Sequence, residues 1–258
     1  MSSSKYYNDY TRAGRIAKLA EWMMYASAVI FLLNAFSTII RSWQYWHIIL
    51  NLNTILLIVI NMALIAVSWL NFAARGNKLA GCIDNAYDTT LAQEPANPKY
   101  YDNNNVLNSD LKFALNVYES CFFSDAILRK QTLQIIIKNM LIATLFFMAV
   151  VLEYGHVAMK ILGLFVVVHF LRKLFVFLVV RNSLSEICSA YQSIFNNYKK
   201  NGILDMQAVT LSMSNYETAM VWLGTVLNGK IYKEFNDELT KEWLEKQKGF
   251  LRSGDSQG

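Results

Sequence analysis

Proline and glycine are scarce in this chain, two of the first and eleven of the second in 258 residues. Sheets with many tight turns need more punctuation than this, so long uninterrupted helices are expected. Cysteine is scarcer than its chemistry would require. Cys82, Cys121 and Cys188 are odd in number and lack metal-ligand spacing, so they indicate neither a disulfide framework nor a zinc site and suit thiols in a reducing compartment. Charged residues make up only 17%, and no basic block is interleaved with stacking aromatics, so the net charge of +5 gives no reason to expect direct DNA binding. The chain has no G-x-S-x-G, P-loop or H-E-x-x-H motif, and no two histidines stand at ligand spacing. No enzymatic activity, cofactor or metal is therefore expected. The opening "MSSSKYYNDYTRAGRIAKLAEW" has no short apolar stretch closed by a small-residue cleavage site, and reads as a helix approaching a membrane rather than a removable signal peptide.

What the chain has in abundance is apolar surface: 54% hydrophobic residues, 14% aromatic, and a mean hydropathy of +0.24. Four stretches approach the roughly 20 residues needed to cross about 30 Å of hydrocarbon: residues 22–40, 48–72, 135–152 and 159–180. They fall into two pairs joined by "RSWQYWH" and "EYGHVAMK". The expected fold is an all-α membrane protein of two transmembrane helical hairpins with cytoplasmic helical regions. Its parts are an N-terminal helix and first hairpin (1–73), a cytoplasmic segment (74–134), a second hairpin (135–181) and a cytoplasmic tail (182–258). Lys5, Arg12, Arg15 and Lys18 precede the first span, six further cations lie between the hairpins, and the two turns carry only Arg41 and Lys160. The positive-inside tendency then places both termini in the cytoplasm.

The aqueous parts carry helical spacing. Apolar residues recur through Leu79, Ile83, Ala86, Tyr87 and Leu91, and "EPANPKYYDNNN" interrupts them with both prolines and an asparagine run. A helix is expected over 109–134, leading into the third span, and 183–198 is expected to continue the fourth span outward until "NNYKKNG" stops it, with Gly202 beyond its basic residues. Helices over 205–227 and 229–250 complete the tail. Asp84 and Asp88, four apart, could hold a cation, but a solvated helix face explains them more simply.

Polar residues inside the spans need reasons. Ser27, Asn34 and Arg41 recur every seven residues in the first span, as do Thr54, Asn61 and Ser68 in the second. Each set forms one slowly drifting stripe, readable as hydrogen-bonding glue between packed helices or as the lining of an oligomeric pore. In "GLFVVVHFLRKLFVFLVVRN", His169, Arg172 and Lys173 interrupt an apolar run. Counted from the turn near His156, Lys138 on the third helix reaches a similar depth. These cations read as a ring snorkelling to phosphates, as part of a cytoplasmic helical body, or as a cationic gate in an oligomer. A guanidinium clamp of Arg172 on Glu119 or Glu186 is a further possibility.

"LAGCIDNAYDTTL" resembles the helix that follows the first hairpin in the four-helix pore-forming effectors of bacterial conflict systems, to which SLATT membrane domains are loosely related. The matching positions are Ala80, Ile83, Tyr87, Asp88 and Leu91, and "FFSDAILRK" is similar to that family's later Asp-x-x-Leu-Arg segment at Asp125, Leu128 and Arg129. Tyr87 replaces the usual phenylalanine, and the tryptophan-containing pieces expected near residues 92–101 are absent. The resemblance implies an inner-membrane effector of antiphage defence, a homo-oligomer acting on the lipid bilayer. A regulatory protein or nucleoprotein complex encoded nearby would hold it silent until triggered. A housekeeping channel or small-solute carrier, and a non-conducting membrane scaffold, are the rival classes.

Overall fold

The computed structural model describes residues 5–36, 45–92, 103, 105–152, 157–223, 229–252 and 255. Among them are six helices and no strand: α1 (Lys5–Phe36), α2 (Trp46–Tyr87), α3 (Ser109–Leu152), α4 (Val157–Asn201), α5 (Met206–Leu223) and α6 (Gly229–Phe250). The four long helices have a common cause. Backbone hydrogen bonding is indifferent to whether side chains are apolar or charged, and no proline falls within α1 to α4 to remove a donor. Each therefore runs past the point where composition turns from greasy to polar. The connecting residues 37–44 and 153–156, and Pro95 and Pro98, lie outside the described residues.

α4 ends where the sequence places its stop. Gly202 has φ +73° and its N–H donates to Tyr198 O at 2.7 Å, the left-handed cap that glycine adopts without Cβ strain. At the end of α2 the left-handed residue is Asp88, with φ 53°, a conformation that aspartate tolerates better than most residues.

Among the described residues, three helices are long and apolar enough to cross a membrane, over Tyr10–Leu33, Trp46–Tyr87 and Ser109–Met148. The remaining expected span, 159–180, lies on α4, where the side chains of 159–163 and 165 are outside the description.

The chain divides into two compact units. One comprises Arg12–Trp69 and Thr132–Leu178. Its core takes Ala20, Met24, Ala28 and Phe31 from α1, Leu57 and Ile60 from α2, Ile142, Ala143, Phe146 and Val150 from α3, and Val166, Val167 and Phe170 from α4. These are helical repeats of three and four, and Phe31 meets Phe146 at 5.8 Å between centroids. The opposite faces are just as apolar: Leu52, Ile55, Ile58, Met62, Ile65 and Trp69 of α2 are all exposed. A helix apolar all round, with one side uncovered by protein, needs a non-aqueous surround. This unit has the character of a membrane bundle.

The other unit comprises Met1–Thr11, Leu70–Gln131 and Val179–Gly258. Here Tyr118 stacks on Tyr191 at 5.3 Å and Phe195 at 5.7 Å, and meets Trp243 edge-on at 5.3 Å. Asn103, fully buried, organises a polar network. Its Nδ2 donates to Asn116 Oδ1 at 2.7 Å and Glu119 Oε2 at 2.8 Å, while its Oδ1 accepts from Gln247 Nε2 at 2.7 Å. Asn116 in turn donates to Asn85 Oδ1 at 2.9 Å, so one amide chain joins α2, α3 and α6. The Arg75–Glu217 pair at 3.3 Å ties α2 to α5. The thiols of Cys121 and Cys188 lie 3.1 Å apart in the interior.

Candidate functional site

The spacing Glu21–Tyr25 puts a carboxylate and a phenol on one face of α1, and Lys138 of α3 reaches both. Lys138 Nζ donates to Glu21 Oε1, Tyr25 Oη donates to the same oxygen at 3.3 Å, and the ammonium sits 5.3 Å from the centroid of the Tyr25 ring. A cation over an aromatic face gains attraction from the ring quadrupole. Lys173 of α4, half-buried, feels the charges of both Glu21 and Lys138. Three helices thus contribute to one ionic cluster in an otherwise apolar bundle. Its formal sum is one positive charge, two lysines against one carboxylate.

The other cations of the "HFLRKLF" run are placed differently. Arg172 is exposed, and among the described residues it has no ion-pair partner. Glu186 is exposed, and Glu119 is buried and accepts from Asn103. His169 is half-buried with its ring edge-on to Phe170 at 5.7 Å.

The polar stripes divide as well. Ser27 is buried. Thr54 Oγ1 donates to Leu50 O at 3.1 Å, Asn61 Nδ2 to Leu57 O at 2.8 Å and Ser68 Oγ to Leu64 O at 3.0 Å. The second stripe therefore bonds back onto its own helix, with Asn61 and Ser68 exposed. The side chain of Asn34 and all of Arg41 lie outside the described residues.

The residues of the effector-like motif fall in the second unit and make specific contacts there. Ile83 is half-buried. Tyr87 Oη donates to Asp110 Oδ1 at 2.7 Å and its ring lies 5.8 Å from Phe113. Arg129 donates through Nε to Asp125 Oδ2 at 2.8 Å and through Nη2 to Ser185 Oγ at 2.9 Å, joining α3 to α4. Asp84 closes the end of α2, accepting from Thr89 Oγ1, Leu91 N and Ala92 N, each at 2.7 Å. Desolvation pushes its carboxyl upward, but these three donors outweigh it and hold the group below its usual range. Tyr198 is pushed up to about 12, first by desolvation and then by its bond to Asp255.

Among the described residues no group of three His, Cys, Asp or Glu side chains converges, and no metal-holding residues are assigned. Glu21 is the site residue that sequence reasoning missed. It stands one position before the apolar stretch 22–40 and was counted with neither the span nor its cations. The available signal was a single carboxylate at the edge of an apolar run in a chain with an intramembrane lysine elsewhere, since such charges pair. No family model, no curated protein and no solved structure matches the chain.

Proposed function

We propose that this chain is a bacterial inner-membrane effector of antiphage defence. It spans the membrane as two hairpins with both termini cytoplasmic, oligomerises, and permeabilises or depolarises the membrane when a partner sensor releases it. The observation that carries the reading is the cluster of Glu21, Tyr25, Lys138 and Lys173 inside an apolar bundle. Charge at membrane depth costs free energy and is kept where it serves a path or a gate. In this reading the Glu21–Lys138 link holds α1 against α3 in the silent state, and parting them opens the bundle. The effector-like residues Ile83, Tyr87, Asp88, Asp125 and Arg129 add the class of system, and their contacts in the second unit offer the releasing partner a surface to disturb.

The test is induced expression in a bacterial host with a membrane-potential dye. Depolarisation that precedes lysis, and comes sooner when Glu21→Gln loosens the link, is the expected result. Full-length, membrane-inserted protein that leaves the potential intact in wild type and in Glu21→Gln would overturn the effector reading in favour of a scaffold. A potential-neutral, selective solute flux would favour a carrier.

A further inference from the structure

In the second unit α3 and α4 run antiparallel along one seam, where Tyr118 meets Tyr191, Cys121 meets Cys188 and Arg129 meets Ser185. The two thiols lie in the middle of it. Their sulfurs are 3.1 Å apart, close enough for either to donate to the other, and neither is in a disulfide. Cys121 is fully buried and its thiol also donates to Leu184 O at 3.8 Å, so its sulfur is held between two successive turns of α4. Each cysteine stands three residues from one tyrosine of the stacked pair Tyr118–Tyr191, on the same face of its helix, and that stack braces the seam beside them.

The two sulfurs are not equivalent. Cys188 keeps 9% of its surface exposed, against none for Cys121. Ser189 beside it is exposed, and Arg129, bonded to Ser185 three residues before Cys188, is near enough to feel a charge on that sulfur. A small oxidant therefore reaches Cys188 first, and a cation at that edge stabilises the negative charge passing onto a departing oxygen. Cys121 is out of an oxidant's reach but already touches the sulfur that is oxidised. A disulfide holds its sulfurs about 2.0 Å apart, so the gap to close is about 1 Å, the scale of a side-chain adjustment.

We propose that Cys121 and Cys188 are a peroxide-sensitive clasp, in which oxidation joins α3 to α4 by a disulfide. The Cys188 sulfur attacks one oxygen of hydrogen peroxide, the O–O bond breaks, and the other oxygen leaves with the thiol's proton as water, giving a sulfenic acid. The Cys121 sulfur then attacks the Cys188 sulfur, the S–O bond breaks, and the hydroxyl leaves with the Cys121 proton as a second water. Two thiols are oxidised and one peroxide is reduced to two waters. A thiol reductant reverses the bond, so the clasp rests open in a reducing compartment. The clasp stands on the seam geometry alone. That it keeps α3 and α4 from parting, and so delays release, rests on the effector reading.

The experiment has two arms. In the first, full-length protein in detergent is treated with hydrogen peroxide, its remaining thiols are blocked with N-ethylmaleimide in denaturant, and it is cut with trypsin. Cleavage after Lys112, Arg129, Arg181 and Lys199 leaves Cys121 alone in 113–129 and Cys188 alone in 182–199, with Cys82 in 79–99. A linked pair of 113–129 and 182–199, lost on reduction and formed in protein that runs as a monomer on a non-reducing gel, supports the clasp. Cys121→Ser should leave a sulfenic acid on Cys188 that dimedone captures, and Cys188→Ser should lose that capture at the same dose. Capture at Cys121 instead overturns the assigned order of attack. Thiols that stay free at doses that oxidise the denatured chain, links to Cys82 or between molecules, or wild-type Cys188 carried to sulfinic acid without a link overturn the clasp. The wild-type digest decides this by itself should either variant fail to fold. In the second arm, wild type and Cys188→Ser in polarised vesicles are compared by a membrane-potential dye, with and without earlier peroxide treatment. Depolarisation that peroxide slows in wild type and not in Cys188→Ser supports the lock. Linked wild type that depolarises at the unoxidised rate overturns the lock and leaves the clasp. A link in the first arm with no depolarisation in either redox state supports the clasp and removes the effector reading alone.

Discussion

Glu21 and Lys138 are each costly in an apolar setting and cheaper as a pair, so the informative substitution is the one that strands a partner. Their side chains keep 33% and 44% exposure, which discounts the value of the link to about 1 kcal/mol rather than the several of a fully enclosed pair. Lys138→Met should lower the unfolding midpoint in detergent, and adding Glu21→Gln should restore part of the loss. A double variant that simply sums the two singles would show that the groups do not interact. Asp84 provides a second residue-scale expectation. Its carboxyl is held below its usual range in the folded chain, so its contribution is present above the unfolded pKa, near 3.9, and is lost as pH falls through the lower folded value. Hydrogen exchange of the Leu91 and Ala92 amides, corrected for intrinsic rates, should accelerate as pH falls below about 4, while Asp84→Asn should be leaky already at neutral pH. Exchange in wild type that ignores this fall in pH would remove Asp84 as the cap.

Among the elements, α6 shows how an exposed charged face and a buried aromatic one share a helix. Ile231, Leu239, Trp243, Gln247 and Phe250 are buried, with Trp243 fully so and its Nε1 unpartnered. Trp243→Ala should cost about 3–5 kcal/mol through the cavity it leaves. Trp243→Phe should cost much less, because it removes the unpaired N–H along with the lost volume. Thermal unfolding of the two variants in the same detergent would rank them, and the reverse order would place a hydrogen-bond partner on the indole. The helical class itself was legible: scarcity of proline and glycine pointed to long helices, and the stop at Gly202 to the end of α4. Their continuity was less so. The helix over 109–134 leads into the third span and that over 183–198 continues the fourth, as α3 and α4 do, but the periodic stretch 79–91 reads as a piece of its own, whereas α2 runs unbroken from Trp46 to Tyr87 because nothing there breaks a helix. The sequence drew attention to the cations Lys138, His169, Arg172 and Lys173 as polar interruptions of apolar runs, and passed over Glu21 and Asn103. Glu21 had one local signal, its place at the edge of an apolar run, but the role of Asn103 comes from partners more than a dozen residues away that no local pattern announces.

On the scale of the whole molecule, the proposed topology is open to a direct reading. A fluorescent protein that is inactive in the periplasm, fused after Gly258, should be bright, and the equivalent alkaline phosphatase fusion inactive; the opposite pair of results would place the C-terminus outside. Replacing Arg172, exposed and without an ion-pair partner among the described residues, by lysine should leave insertion unchanged, since a point charge on a flexible stem reaches a phosphate as well as a guanidinium does. Selective loss of membrane-inserted protein in Arg172→Lys would call for a bidentate partner. The distribution of indoles has an optical consequence. Trp22 and Trp69 are 72% and 69% exposed on the apolar unit, while Trp243 is fully enclosed in the other and sits within 5.3 Å of Tyr118. Brominated acyl chains should therefore quench the first two and spare the third, whose emission stays blue and is fed by energy transfer from tyrosine. In a variant that keeps these three indoles and carries phenylalanine for Trp43, Trp46 and Trp222, one emission spectrum in vesicles, resolved by quencher depth, then separates the light of the apolar unit from that of the other.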